Sequence, residues 1–171
     1  MVERGLANKM DHKAVLELNL EYLTTVITEI RRLSQSHMPP SLQEVTLHEA
    51  VNHMIANYKA INSFEIDYTN TLHEEEILNE QTKLTIFRII QELLNNIVKH
   101  AEASIVQLCI IYNKKLLTLS IKDNGKGFVL MPENTGLGLR NITSRANLFN
   151  GQVCIHSELN VGTEIKVVFT V

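Results

Sequence analysis

The sequence predicts an α+β fold, a two-layer sandwich with one mixed β-sheet, helices on a single face of that sheet and a long helix ahead of it. Apolar residues recur at helical spacing in several long segments and alternate with polar residues in short β-rich ones. A Pro-Pro pair at residues 39–40 separates the first helical segment from the rest. After that break the order is helix, strand, helix, two strands, helix, two strands, which indicates the sandwich.

The first predicted element is a helix over residues 13–36. One stripe of this helix is apolar, with spacings of four and three residues. The stripe consists of Leu16, Leu20, Leu23, Ile27 and Ile30. Such a stripe is typical of a coiled-coil seam, so the helix either packs on its own domain or pairs with another helix. Pro39 and Pro40 end it, because proline has no N–H to donate and forces the preceding residue toward an extended conformation.

The remaining elements follow from the same two periodicities. They are, in order, a helix within residues 41–58, a strand over 64–69, a long helix over 80–101, strands over 104–112 and 116–122, a helix over 137–150, and strands over 152–157 and 163–171. The short polar link at residues 113–115 predicts a hairpin between the second and third strands.

Composition limits the classes of function. The chain of 171 residues is 44% hydrophobic and 20% charged, which is ordinary for one folded domain with an appended helix. A formal net charge of −3 provides no broad basic field for a nucleic-acid backbone or an anionic membrane surface. Nucleic-acid binding is therefore not expected, and any phosphate chemistry must be local.

Cysteine usage and hydropathy favour the cytoplasm. Cys109 and Cys154 lie in predicted strands without a CxxC motif, so both are expected to be core thiols in a reducing compartment. No apolar run approaches the ~20 residues that span a bilayer, and the N-terminal residues are too polar for a signal peptide. We therefore expect a cytoplasmic protein, or the cytoplasmic end of a membrane-bound sensor, without a membrane segment in this chain.

The long helix predicted over residues 80–101 carries an apolar and a polar face. The apolar face consists of Ile86, Ile90, Leu93 and Ile97, and the polar face of Arg88, Glu92, Asn96 and Lys99. A solvated ladder would explain the charged residues, but adjacent Asn95 and Asn96 lower helix propensity unless a side chain is needed. An Asn amide oxygen suits Mg²⁺, which takes few protein ligands besides water and substrate phosphates. Lys99, one turn further, could then meet phosphate charge.

Two glycine turns complete a pattern. Residues 123–127, Asp-Asn-Gly-Lys-Gly, follow a predicted strand, so Asp123 lies where loops gather ligands and the glycines allow close approach to a planar ligand. Residues 136–139, Gly-Leu-Gly-Leu, open a predicted helix whose free N–H groups form an anion site. The spacing matches neither a Walker A loop nor a Rossmann fingerprint. Each turn alone could be structural, but with the polar helix face they indicate an ATP pocket.

These residues together resemble the ATP-binding catalytic domain of sensor histidine kinases, in the superfamily that also contains the Hsp90, MutL and type II topoisomerase ATPases. Residues 92–100 are similar to the N box of that family, residues 123–127 to its G1 box and residues 136–139 to its G2 box. Gly162 and Thr163 are similar to the turn before its final strand. The resemblance covers residues 41–171 and implies a sandwich of the histidine-kinase-like ATPase type.

The resemblance also implies a role for each motif residue. Asn96 would bind Mg²⁺, Glu92 would polarise a water or assist proton transfer, and Lys99 would reach the phosphates. These three are the expected catalytic residues. Asp123 would accept a hydrogen bond from the adenine amino group, with Thr163 supporting it through water. The expected ATP-binding residues are Asn96, Lys99, His100, Asp123, Gly125, Gly127, Phe128, Gly136, Leu137, Gly138, Leu139 and Thr163.

The segment between the glycine boxes indicates a subgroup. Residues 128–135 alone separate them, so the lid is short and has no separate F box. Residues 138–146 resemble the short-lid kinases that work with LuxR-type response regulators. A response regulator, LuxR-type by this resemblance, is therefore the expected partner.

The segment before the Pro-Pro pair resembles the same subgroup. Residues 29–34 and 37–40 are similar to its second dimerisation helix. The resemblance thus divides the chain into residues 1–40, a dimerisation-type helix with its Pro-Pro linker, and residues 41–171, the ATP-binding catalytic domain. It implies that the complete kinase is a homodimer.

The phosphoacceptor histidine is not identified in this sequence. In the subgroup it lies on the preceding helix in a Leu-His-Asp-like setting, and His12 is the only candidate by position, with neighbours that do not match. His37 is expected to be a surface or linker residue, and His100 to position phosphate or cap its helix. We therefore expect a histidine-bearing dimerisation helix, supplied in cis or in trans, as a second partner.

Three functions stay open at this point. The first is the catalytic part of a histidine kinase, which transfers the γ-phosphoryl of Mg-ATP to a histidine. The second is a serine kinase acting in trans, as the anti-sigma-factor kinases do, and the third is a non-catalytic ATP-binding or interaction module. The Pro-Pro linker and the helix before it favour the first.

Overall fold

The computed structural model describes Leu23 and residues 45–72, 77–130 and 136–171. The chain divides into a unit of Met1–Pro39 and a unit of Pro40–Val171, and the fold below belongs to the second. The predicted helix over residues 13–36, apart from Leu23, lies outside the described residues.

The second unit alternates helices and strands in the predicted order. Its elements are α1 (Leu47–Ile61), β1 (Glu65–Asn70), α2 (Glu80–Asn96) with a π-helical turn (Ile97–Ala101), β2 (Ile105–Asn113), β3 (Leu116–Asp123), α3 (Leu137–Asn147), β4 (Gln152–Glu158) and β5 (Gly162–Thr170). Each described element overlaps the segment predicted for it.

The strands form one mixed sheet in the order β1-β2-β3-β5-β4. β1 and β2 are parallel, and the other neighbouring strands are antiparallel. A parallel pair needs a long crossover connection, and α2 supplies it. The predicted fold class, a mixed sheet with helices, is therefore confirmed.

Side-chain caps set the starts of the first two helices. Thr46 and Glu49 form a capping box at α1: the Thr46 hydroxyl accepts from the Glu49 N–H at 3.1 Å, and the Glu49 carboxylate accepts from the Thr46 N–H at 2.8 Å. At α2 the Asn79 side chain accepts from the Thr82 N–H at 2.8 Å. The start of α2 at Glu80 agrees with the sequence prediction.

The core lies between the helices and one face of the sheet. The buried strand residues that form the sheet side are Ile66, Val106, Leu108, Ile110, Leu117, Leu119, Ile121, Ile165, Val167 and Phe169. The intervening strand residues point to the opposite face, where most are half-buried or exposed. Strand alternation therefore places the helices on a single face.

The two cysteines lie on that opposite face, so the prediction of core thiols is wrong. Cys154 is exposed and pairs in register with Lys166, and Cys109 is half-buried opposite Ser120. Each cysteine lies one residue away from a core-facing position, and a shift of one residue reverses the face of a strand side chain.

Two helix ends differ from the prediction. The long helix changes from α to π geometry at Ile97, which the 3.6-residue period does not indicate. α3 ends at Asn147 instead of residue 150, because the Gly151 N–H turns back to the Ala146 carbonyl at 2.8 Å and Asn150 takes a left-handed φ of 54°. None of the described helices combines the length and apolar character needed to cross a membrane.

Candidate nucleotide-binding site

A buried carboxylate marks one end of the candidate site. Asp123 is the last residue of β3, is only 6% exposed and faces Thr163 of β5 in register. Its Oδ1 accepts from the Gly125 N–H at 2.8 Å, and the Thr163 N–H also donates to the carboxylate. Burial raises the pKa of Asp123, while these two hydrogen bonds act in the opposite direction. A carboxylate has about four acceptor sites, so Asp123 can accept a further bond from a ligand amino group.

Two hydroxyl groups extend this end across the neighbouring strands. Thr163 of β5 and Ser157 of β4 are register partners, and their hydroxyl oxygens lie 2.8 Å apart. Ser157 Oγ also accepts from the Phe128 N–H at 2.9 Å, which holds the half-buried Phe128 beside the strands. Ser157 is a residue of the candidate site that the sequence motifs did not predict. Counting the register outward from the predicted turn near residues 160–162 would have placed it opposite Thr163.

The first glycine turn, residues 123–127, packs closely against the backbone of two other segments of the chain. A Cβ on Gly125 would lie 2.2 Å from the Ala101 carbonyl oxygen, which accepts from the Lys126 N–H at 2.8 Å. Gly127 has a φ of +58°, and a Cβ there would lie 2.0 Å from the Glu158 carbonyl oxygen. Both glycines are therefore required by backbone contacts that bring this turn against the π-helical turn and the β4–β5 hairpin.

The other end of the site lies where α2 meets the start of α3. Glu92 and Asn96 are half-buried, one helical turn apart on α2. A Cβ on Gly138 would lie 2.7 Å from Glu92 Oε1 and 3.0 Å from Asn96 Oδ1. The fold thus brings Gly138 against two predicted residues of another motif that lie more than forty positions earlier in the chain.

The oxygen atoms at this end are suitable ligands for a divalent cation that is held mainly by its nucleotide. Asn96 and Glu92 present oxygen atoms, which Mg²⁺ prefers. Within the described part of the chain, no group of three or more His, Cys, Asp or Glu side chains could hold a metal by itself. Mg²⁺ usually keeps waters and substrate phosphates as most of its ligands, so a site with one or two protein oxygens fits it.

The remaining candidates lie at the edges. Lys99 and His100 are exposed in the π-helical turn, which is followed by Glu102 with a left-handed φ of 54°. π turns are rare in proteins, and those that occur are often found at functional sites. Gly136 is the exposed N-cap of α3, where an added Cβ would have no atom within 4 Å, and Leu137 is the first helical residue. Leu139 packs against the core.

A buried acceptor at the end of a strand, oxygen donors on a facing helix and a glycine-capped helix start define a nucleotide-binding α+β sandwich. Residues 81–171, more than half of the chain, match the family described as Histidine kinase-, DNA gyrase B-, and HSP90-like ATPase, and the chain belongs to that family. ATP is therefore the nucleotide of this domain.

Curated relatives agree with this family. The oxygen sensor histidine kinase NreB of Staphylococcus carnosus is 30% identical over 147 residues, which cover 85% of this chain and 42% of NreB. The signal transduction histidine-protein kinase/phosphatase DegS of Brevibacillus brevis is 29% identical over 170 residues, covering 98% of this chain and 44% of DegS. This chain therefore spans less than half the length of these two curated relatives.

A solved structure supports the fold. The histidine kinase domain of the blue-light activated histidine kinase from Erythrobacter litoralis EL346 superposes with a TM-score of 0.62 at 16% identity, covering 72% of this chain and 60% of that domain. The solved structure confirms the predicted fold. The family match and the histidine kinase relatives confirm the predicted class, the ATP-binding catalytic part of a histidine kinase.

Proposed function

We propose that this chain binds Mg-ATP and transfers the γ-phosphoryl group to a histidine on a dimerisation helix, supplied in cis or in trans, as the catalytic part of a two-component kinase. The observation that carries the proposal is the packing of Gly138 against Glu92 and Asn96. This packing joins two sequence motifs. The third motif begins with the buried Asp123 at the end of β3. Residues 41–171 would form the catalytic domain and residues 1–40 a dimerisation-type helix with its linker.

At the phosphate end, positioning and charge neutralisation carry most of the catalysis of phosphoryl transfer. Asn96 would hold Mg²⁺ through its amide oxygen, and the bound ion would supply charge stabilisation to the phosphates. Glu92 would polarise a water or assist proton transfer from the attacking nucleophile. Lys99 and the N–H groups at the start of α3 would offset the negative charge of the phosphates, and His100 would position a phosphate or cap its helix.

At the base end, Asp123 would accept a hydrogen bond from the adenine amino group. Thr163 would support the same contact through water, and its hydroxyl is held by Ser157 at 2.8 Å. The glycine turns, with Phe128, Leu137 and Leu139, would shape the walls and the short lid. Guanine carries a carbonyl where adenine carries the amino group, so Asp123 would favour ATP over GTP.

The histidine kinase relatives support a choice of partners. A response regulator would receive the phosphoryl group from the histidine, and the subgroup resemblance makes a LuxR-type regulator the candidate. The complete kinase would be a homodimer in the cytoplasm or at the cytoplasmic end of a membrane-bound sensor.

The test mixes the protein with γ-labelled ATP, Mg²⁺ and a separate dimerisation segment that carries a histidine. Acid-labile label on that segment is the expected result, because phosphohistidine hydrolyses in acid. Acid-stable label would replace the proposal with a serine kinase, and the absence of ATP binding would replace it with an interaction module. The same segment with its histidine changed to Ala is the control.

A further inference from the structure

A buried tyrosine on α1 holds the helix that carries the phosphate end of the site. Tyr58 is 3% exposed, and its O–H donates to Asn95 Oδ1 at 2.8 Å and lies 3.4 Å from the Gln91 carbonyl oxygen. Both partners lie on α2, each one residue before a candidate for catalysis, Asn96 and Glu92 respectively. Asn95 is thus explained by a contact within the fold, separate from the site.

The position of these two partners fixes the rotation of α2. Successive residues of an α-helix are about 100° apart, so Gln91 and Asn95 share one face and Glu92 and Asn96 share the next. Much of the rest of α2 packs through apolar side chains such as Ile90, whose contacts have little directional preference. The hydrogen bond to Asn95 is directional, so a rotation of α2 that re-aimed Asn96 would break it.

The hydrogen bond between Tyr58 and Asn95 also lies close to the point where α2 changes from α to π geometry. Asn95 is the second-last residue of α2, and the Ile97 N–H that follows is shared between the Leu93 and Leu94 carbonyls as the π-helical turn begins. A helix is least constrained by its own hydrogen bonds at its end. A side-chain bond at this place therefore has more influence on the direction of Asn96 than one in the middle of α2.

Tyr58 is suited to act as a permanent donor. Burial raises the pKa of the Tyr58 hydroxyl above its ordinary value, and the negative charge of Glu92 acts in the same direction. The phenol therefore keeps its proton throughout the neutral range.

We infer that Tyr58 is a positioning residue for the nucleotide site: its hydrogen bond to Asn95 fixes the rotation of α2 and thereby directs Asn96 and Glu92 toward the bound nucleotide. The inference rests on the proposed function, because it assigns the Mg²⁺-dependent part of ATP binding to the geometry that Tyr58 maintains.

The test compares ATP affinity with Mg²⁺ and with EDTA in the full chain and in Tyr58→Phe, by isothermal titration calorimetry. The variant keeps the buried ring and loses one hydrogen bond. We expect the gain in affinity that Mg²⁺ provides to fall about 3- to 10-fold, the size expected for one lost hydrogen bond. Affinity in EDTA should stay as in the wild type, since the base end does not contact Tyr58. Tyr112→Phe, which removes the hydroxyl of a half-buried tyrosine on β2, is the control.

A second variant removes the acceptor. Asn95→Ala raises helix propensity, which offsets part of the cost of leaving the buried Tyr58 O–H with only its 3.4 Å contact to the Gln91 carbonyl oxygen. The Mg²⁺ effect should fall as in Tyr58→Phe. The double variant should lose no more than either single one, because both remove the same bond. A Tyr58→Phe protein with the wild-type Mg²⁺ effect would overturn the positioning role alone. A wild-type chain whose ATP binding does not depend on Mg²⁺ would instead overturn the proposed function.

Discussion

The two ends of the proposed nucleotide site are built differently. At the base end, Asp123, Thr163 and Ser157 lie on three neighbouring strands and are joined by hydrogen bonds to one another or to the adjoining backbone. At the phosphate end, Asn96 on α2 and Gly138 on α3 meet across a contact between two helices. The hydrogen bonds between neighbouring strands fix the positions of their residues before a ligand binds. The contact between α2 and α3 leaves the two helices freer to shift when a ligand binds. The base end should therefore govern stability and selectivity, and the phosphate end should govern the response to Mg²⁺.

The largest effect is expected from Gly162→Ala at the base end. Gly162 begins β5 with a φ of +125°, and a Cβ there would lie 2.0 Å from the Asp123 carbonyl oxygen. This backbone region is nearly exclusive to glycine, and the obstructing atom is backbone, so the chain must shift. We expect the free energy of unfolding to fall by about 3 kcal/mol, measured by urea denaturation.

Gly136→Ala is the matched control for this change. Gly136 has a φ of −56° and no atom within 4 Å of an added Cβ. Because Ala is a poorer N-cap than Gly, the variant's free energy of unfolding should fall by no more than about 1 kcal/mol. Equal losses for both variants would contradict the view that the base end is the rigid part.

Next in size is Asn96→Asp at the phosphate end. The new carboxylate would stand beside Glu92 and close to the triphosphate, and would alter the coordination of Mg²⁺. We expect the affinity for Mg-ATP to fall roughly 10- to 100-fold, or about 1.4 to 2.7 kcal/mol, by calorimetry. The preference for ATP over GTP should be unchanged, because Asp123 is untouched. A loss of that preference would mean that the two ends are not independent. Asn113→Asp, on the exposed β2–β3 hairpin, is the control.

Ser157→Ala should have a smaller effect, confined to the base end. It removes the acceptor of the Phe128 N–H at 2.9 Å and the partner of the Thr163 hydroxyl at 2.8 Å. We expect ATP affinity to fall about fivefold, the equivalent of about 1 kcal/mol, with the Mg²⁺ effect retained. Ser120→Ala, on the opposite face of the sheet, should leave ATP affinity at the wild-type value. A wild-type affinity in Ser157→Ala would remove the serine from the site.

Much of the fold and the motif positions could be predicted from the sequence. Leu117, Leu119 and Ile121 alternate with polar residues and are all buried on β3, and Ile86 and Ile90 are fully buried on α2. These patterns are local, so a period in the sequence is sufficient to detect them. The roles assigned to the site residues stay predictions that the variants above test.

The features that sequence analysis missed depend on contacts between distant segments. The π-helical turn ends at Ala101, whose carbonyl accepts from the Lys126 N–H, and nothing in residues 97–101 alone requires that geometry. The position of Ser157 opposite Thr163 depends on the register of β4 with β5. The contact of Asn95 depends on a tyrosine thirty-seven positions earlier in the chain. Whether the Cys154 side chain faces the core or the opposite face of the sheet depends on the register of β4 with β5. Register and helix rotation are set by tertiary packing, which a period does not contain.

The smallest effect expected is a pH dependence that separates Asp123→Asn from the wild type. Because burial raises the pKa of Asp123 in the folded state, the folded protein binds this proton more tightly than the unfolded chain does. The corresponding stability is complete below the ordinary aspartate pKa, about 3.9, and is lost as the pH rises through the raised value. Asparagine does not titrate, so the variant should gain roughly a few degrees in Tm relative to the wild type between acidic and neutral pH.

Nucleotide should change this difference in a way that tests the base end directly. A donor from adenine favours the ionised carboxylate, so saturating ATP should lower the pKa of Asp123 and remove most of the pH dependence of the wild-type Tm. GTP at the same concentration should have less effect, because its base presents a carbonyl there. Parallel Tm curves for the variant and the wild type would contradict the burial effect. Equal wild-type affinities for ATP and GTP would contradict the adenine contact itself, and the contrast between a base-reading end and a metal-dependent end would then fail.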